Sequence, residues 1–180
     1  ETANSYRGSP CALGLVRVRD GVIVDEGSFL MRPPEPVDYF DPYNIAVHGI
    51  TPSMVVDAPR WRDVLPALID DIGDDVVVAH NAAFDIGVIR YACAADNIEW
   101  PTIRFLCSLV LSRRALRLPS YRLPFVAEAL GFQMRDHHDP LADARAVVGI
   151  IKGLAEQQEV DDLEALASSL NVGVGRMSSG

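Results

Sequence analysis

The sequence predicts an α/β fold, a mixed β-sheet flanked by helices. Three observations carry this. Residues 11–18 and 22–31 read as strands around Asp20-Gly21, a strong hairpin turn. After that hairpin, apolar runs at 76–79 and 103–111 alternate with stretches of helical spacing, the order that lays helices on the faces of a sheet. A chain of 180 residues suits one domain and is long enough to bury a full core.

Each element has a local reason. Residues 4–10, NSYRGSP, are turn-rich. Residues 32–60 form a proline-rich connection, long enough to suggest function, in which Thr51-Pro52 can open a short helix. Between 59 and 70, Trp61, Val64, Leu65, Leu68 and Ile69 recur at helical spacing, with Trp61 expected in the core. The run 76–79 reads as a buried strand. It meets the polar pair His80-Asn81, and AAFDIGVIRYA then reads as a helix with Phe84, Val88 and Ile89 on its inner side and Asn81 as N-cap. Residues 103–111 read as a further strand, and 123–130 as a short helix ended by Gly131. Asp139-Pro140 is an N-cap and N1 pair opening a helix to about residue 157. A short amphipathic helix follows at 160–170, and NVGVGRMSSG reads as a linker. The expected division is a domain over 1–157, with 158–180 as short helix and flexible tail.

Composition narrows the function. Apolar residues make up 49% and charged residues 23%, ordinary values for a globular protein. No run approaches the length of a membrane span. Cys11, Cys93 and Cys107 are odd in number and lack zinc spacing, which points to reduced thiols and a cytoplasmic setting. A net charge of −9, from 16 basic and 25 acidic residues, disfavours a protein that coats duplex nucleic acid by charge alone. It suits an enzyme whose carboxylates gather divalent cations. The basic cluster Arg113, Arg114, Arg117 and Arg122 reads either as a phosphate grip or as a solvated face.

Two stretches share one design. Asp85 falls one turn into its helix, where the macrodipole favours negative charge. Asp143 holds the same relative position in the helix opened by Asp139. On a continuous helix, residues five apart point about 140° apart. His138 can therefore meet Asp143 only from the loop that enters the helix. His137 is its neighbour and rival.

Together, Glu1-Thr2-Ala3, HNAAFD at 80–85 and HHDPLAD at 137–143 resemble the DEDD superfamily of 3′→5′ exonucleases. The nearest likeness is the His-bearing subclass that includes the proofreading epsilon subunit of bacterial DNA polymerase III. The resemblance spans roughly residues 1–155. It implies a ribonuclease H-like fold and hydrolysis of DNA 3′ ends, single-stranded or frayed, to nucleoside 5′-monophosphates. It also implies two divalent cations, Mg²⁺ or Mn²⁺, on Glu1, Asp85 and Asp143, with His138 as general base. Thr2, His48, His80, Asn81 and Phe84 would line the substrate pocket. Phe84 reads equally as a base platform or a core aromatic, and His48 as a substrate contact or a surface loop residue. The same resemblance implies an Asp two residues before Glu1, at the end of an apolar strand, and a polymerase or repair partner. Two other readings stand beside it: a 3′→5′ exoribonuclease acting on short RNA, and a non-catalytic scaffold that keeps the fold.

Overall fold

The structure is a computed structural model that describes residues 1–135 and 139–180. It opens with the expected hairpin. Strands β1 (Ala12–Arg19) and β2 (Val22–Leu30) pair antiparallel. Asp20 and Gly21 both take positive φ, as the two-residue turn demands. Helix α1 (Pro42–His48) follows, then a 3-10 turn over Pro52–Val55 and helix α2 (Trp61–Ile72). Trp61, Val64, Leu65 and Leu68 are buried, which is the spacing that predicted α2.

Strand β3 (Val76–Ala79) runs into helix α3 (Ala82–Ala95). Strand β4 (Ile103–Cys107) lies parallel to β3, and β5 (Gly175–Met177) lies antiparallel to β4. Helices α4 (Ser108–Ala115), α5 (Leu123–Ala129), α6 (Pro140–Gln158) and α7 (Leu163–Ser169) complete the chain. The long helix α6 is the centre of packing and touches β1, β2, β3, α4, α5 and α7. Its Ala146, Ile150 and Leu154 form one buried stripe four residues apart, shared with Leu111, Val126 and Leu166.

Three expectations need correction. The apolar run 103–111 is a strand only to Cys107; from Ser108 it is helix, with Leu111 and Ser112 buried. Phe84 is 39% exposed, and Ile86 takes the inward place, because α3 turns its Ala82, Ile86 and Cys93 side to the core. The expected tail is ordered. Gly175–Met177 form β5, the Trp100 N–H donates to the Gly180 carbonyl, and the Trp100 ring N–H donates to the Ser178 carbonyl.

Two features place the site. Among the described residues β1 pairs only with β2, and β3 only with β4. A groove of about 950 Å³ separates β1 from β3, lined by Leu15, Val77, Val78, Val148 and Ile151 among others. Second, α6 starts directly against β1. A Cβ on Gly14 would come within 2.3 Å of the Pro140 carbonyl group, so only glycine lets the two backbones meet there.

Candidate active site

Residues 1–3 run beside the start of β1. The Glu1 nitrogen donates to the Ala12 carbonyl (2.9 Å), and the Cys11 N–H donates back to the Glu1 carbonyl (2.9 Å). Thr2 is held from the other side by α1. Asn44 Nδ2 donates to the Thr2 carbonyl at 3.0 Å. His48 Nδ1 accepts from the Ile50 N–H (3.0 Å), which leaves the proton on Nε2 to donate to the same Thr2 carbonyl (3.0 Å). Gly49, in the left-handed region at φ 74, ends α1 and turns the chain back so that His48 can reach both partners. An open cleft of about 410 Å³ lies between His48 and the start of α6, with Ala12, Phe29, Ile50 and Asp139 in its walls.

The second wall is the turn from β3 into α3. Asn81 stands at the N-cap position but in the left-handed region, and its side chain caps nothing. That conformation lets strand pass into helix across only His80 and Asn81, and Asn tolerates it better than most residues. His80 is braced on both sides. Its Nε2 donates to the Tyr121 carbonyl (2.7 Å), so its Nδ1 accepts from the Ser108 hydroxyl (2.8 Å). Burial lowers its pKa; the bond to Tyr121 works against this, and the charge of Arg113 adds to it. His80 is thus a neutral brace tying the β3–α3 corner to α4. Phe84 is partly exposed, with the Arg7 guanidinium over its ring, 5.3 Å from the centroid.

Asp85 lies in the first turn of α3, and Asp143 in the first turn of α6. The cap expected of Asp139 is present: its carboxylate accepts from the Ala142 N–H at 3.3 Å. Glu1, Asp85 and Asp143, far apart in sequence, are brought into one field. Asp85 is open to water on one side but crowded by protein on the others. Burial pushes its carboxyl up to about 6; the chain's α-ammonium group and a backbone hydrogen bond pull down, while the charges of Glu1 and Asp143 push further up.

Three acidic groups that repel one another are the oxygen donor set that hard divalent cations take, so the residues fit such ions. Among the described residues no three His, Cys, Asp or Glu side chains are already gathered closely enough to hold one. His138 and His137 lie outside the described residues. Sequence reasoning missed Asn44, Ser108 and Tyr121, which hold Thr2 and His80 in place. Asn44 had a faint signal, standing four residues before His48 on one helix face.

A stability prediction follows from Asp85. Its native pKa of about 6 stands above the ordinary 3.8, so the folded state binds this proton more tightly than the unfolded chain does. The penalty is absent below about pH 4 and complete once pH has risen through about 6. In cation-free solution Asp85→Asn should therefore be more stable than wild type at pH 7.5, by about 1 kcal/mol after allowance for water screening. The gap should close toward pH 4. Denaturant melts at both pH values check this, and an equal gap at both would sink it.

Comparison with known proteins shows the family and the fold. The RNase T model, described as exonuclease, matches residues 2–151. A protein of Mycobacterium tuberculosis (strain CDC 1551 / Oshkosh), named as a bifunctional exonuclease/endonuclease, is 37% identical over 148 residues, 81% of this chain and 22% of that protein. The DNA polymerase III epsilon subunit of Aquifex aeolicus (strain VF5) is 33% identical over 147 residues, covering 81% of this chain and 71% of the subunit. A DNA polymerase III of the PolC type from Clostridium perfringens (strain 13 / Type A) is 32% identical, and the chain spans only 11% of its length. Among solved structures, exonuclease X in complex with 5′ overhanging duplex DNA aligns with a TM-score of 0.73 at 27% identity, over 94% of this chain and 95% of that one. The nuclease domain of 3′hExo, a DEDDh family member bound to rAMP, shares the fold at a TM-score of 0.74 and 16% identity, over 97% of this chain and 91% of that one.

Proposed function

The chain belongs to the RNase T-type exonuclease family, and from that membership we propose that it hydrolyses phosphodiester bonds at DNA 3′ ends, stepwise toward the 5′ end, releasing nucleoside 5′-monophosphates. One observation carries the reading. The charges of Glu1, at the start of the chain, and of Asp143, on α6, both act on Asp85 of α3, which supports grouping the three.

Glu1, Asp85 and Asp143 would hold divalent cations, two of them, Mg²⁺ or Mn²⁺. When bound, such a pair neutralises phosphate charge, lowers the pKa of the attacking water and stabilises the leaving oxygen. His138 accepts the proton of that water, a task suited to an imidazole whose pKa lies near neutrality. Its place rests on its spacing before Asp143. Thr2, fixed by Asn44 and His48, offers main-chain atoms to the terminal sugar. His48 and His80 act by holding Thr2 and the Asn81 corner, since their ring nitrogens are used inside the protein. Asn81 borders the terminal nucleotide, and the exposed ring of Phe84 receives its base.

The test is digestion of DNA and RNA oligonucleotides, labelled at either end, by the full-length protein with Mg²⁺ or Mn²⁺. The 5′-labelled DNA should give a descending ladder, and 3′-labelled DNA should release labelled mononucleotide from the first turnover. Internal cuts, or release beginning at the 5′ end, would overturn the direction. Faster RNA cleavage would move the substrate to RNA and leave the site intact. Among the described residues no helix is long and apolar enough to cross a membrane.

A further inference from the structure

Between Glu99 and Glu128 the chain has no acidic residue and carries Arg104, Arg113, Arg114, Arg117 and Arg122, although its net charge is −9. Arg104 is engaged with Glu164 at 3.2 Å. The other four are exposed. Among the described residues, the ion pairs fall on Arg17, Arg19, Arg60, Arg62, Arg104 and Arg145, so these four face water with no carboxylate at hand. A solvated arginine face in an acidic protein ordinarily has acidic neighbours along the chain; this one has none.

The segment is also shaped. The Tyr121 hydroxyl donates to the Leu116 carbonyl (2.8 Å) and accepts from the Leu118 N–H (3.3 Å), folding residues 116–121 into a compact turn. Arg113 lies over the Tyr121 ring, 5.7 Å from its centroid. Beyond the turn, Phe125 is 52% exposed in the first turn of α5. An exposed aromatic beside unpaired guanidinium groups is the combination that binds single strands, with phosphates on the cations and bases on the ring. The segment is tied to the site through His80, which bonds Ser108 at its front and Tyr121 at its far side.

We propose that the surface from Arg113 to Phe125 seats the single-stranded nucleic acid behind the reacting 3′ end, with backbone phosphates on Arg113, Arg114, Arg117 and Arg122 and a base on Phe125. This rests on the exonuclease reading of the neighbouring site for its polarity, and on the charge and the exposed ring for its ligand. It assigns the strand a direction: from the carboxylates past the β3–α3 corner and along α4 and α5.

The test separates the two claims. Full-length wild type and the triple variant Arg114→Gln/Arg117→Gln/Arg122→Gln are titrated by fluorescence anisotropy against a labelled oligothymidylate of about twelve nucleotides, within the usual ~4–16 nucleotide sites of single-strand binders. Divalent cations are left out, so nothing is cleaved. Three lost phosphate contacts should weaken binding about tenfold or more and flatten the slope of log affinity on log salt by about 2, at roughly 0.7 per contact. The matching triple Arg→Lys variant should keep most of the slope. Phe125→Ala should weaken binding about fivefold or more at unchanged slope. Arg176→Gln, an exposed arginine on β5, should behave as wild type. If the triple Gln variant keeps wild-type affinity and slope, or if wild type binds no oligonucleotide, the surface is wrong. If wild type binds with the expected slope yet hydrolyses nothing once Mg²⁺ or Mn²⁺ is added, the surface stands and the exonuclease reading falls. All four arginines are exposed, so the substitutions leave the core untouched; circular dichroism confirms it, and Arg114→Gln and Arg122→Gln singly repeat the measurement at smaller amplitude.

Discussion

Asp85→Ala or Asp143→Ala in the full-length protein is expected to lower nuclease turnover by about 10³-fold or more, with the fold kept. The charge stabilisation that bound cations give a phosphoryl transition state is worth several kcal/mol, and each ~1.4 kcal/mol is tenfold in rate. Either mutation removes a donor from the only place where the described carboxylates Glu1, Asp85 and Asp143 share a field. Neither side chain is buried in the apolar core, so truncation leaves no cavity. Single-turnover cleavage with saturating Mg²⁺ or Mn²⁺ measures the loss. Wild-type-like rates from either variant would show that the chemistry is done elsewhere.

His138→Ala is the second large effect, a loss of roughly 10²–10⁴ in rate, the usual worth of a general base. The structure supports the reasoning on one side of that residue. Helix α6 starts at Pro140 with Asp139 as its cap, so the described residues hold the helix that carries Asp143 and end just short of His138. His137→Ala should cost much less. The wild-type rate should climb with pH across the neutral range as the imidazole loses its proton, and that limb should vanish in His138→Ala alone. The reverse order of severity between the two variants would transfer the role to His137.

Local chemistry was legible in the sequence. Asp20-Gly21 declared the hairpin, Asp139-Pro140 declared the start of α6, and the apolar run before His80 declared the strand that leads into the helix of Asp85. Each of these depends on a few neighbouring residues. What stayed hidden depends on distant partners. The end of β4 is set where Ser108 meets His80, a contact between residues 28 apart in sequence. Strand β5 contains a glycine and an arginine and forms because Ile103–Phe105 offer an edge to pair with, which composition does not announce. The inward face of α3 was misread because Phe84 is more apolar than Ala82, although only the smaller residue fits against the sheet; Ala82 is 1% exposed. Within the site, acidic residues and their spacing could be read. The bonds holding Thr2 and His80 could not, since they join the ends of elements that only the fold brings together.

The contact of Gly14 with Pro140 bears on how the site meets a cation. Glu1 is hydrogen-bonded to Ala12 on the strand that carries Gly14, and Asp143 lies three residues past Pro140 on the helix that strand supports. The backbone positions that carry the two carboxylates are therefore joined through main-chain contacts. The repulsion each exerts on Asp85 comes from elements that meet main chain to main chain at Gly14 and Pro140. Their backbone positions are set when the chain folds; among the described residues no three such side chains are yet close enough to hold a cation, so an arriving one has only side chains to draw in. Such preorganisation raises affinity by removing a reorganisation cost from the binding step. The charges of Glu1 and Asp143 that add to the proton affinity burial gives Asp85 are also the charges that would attract a divalent ion.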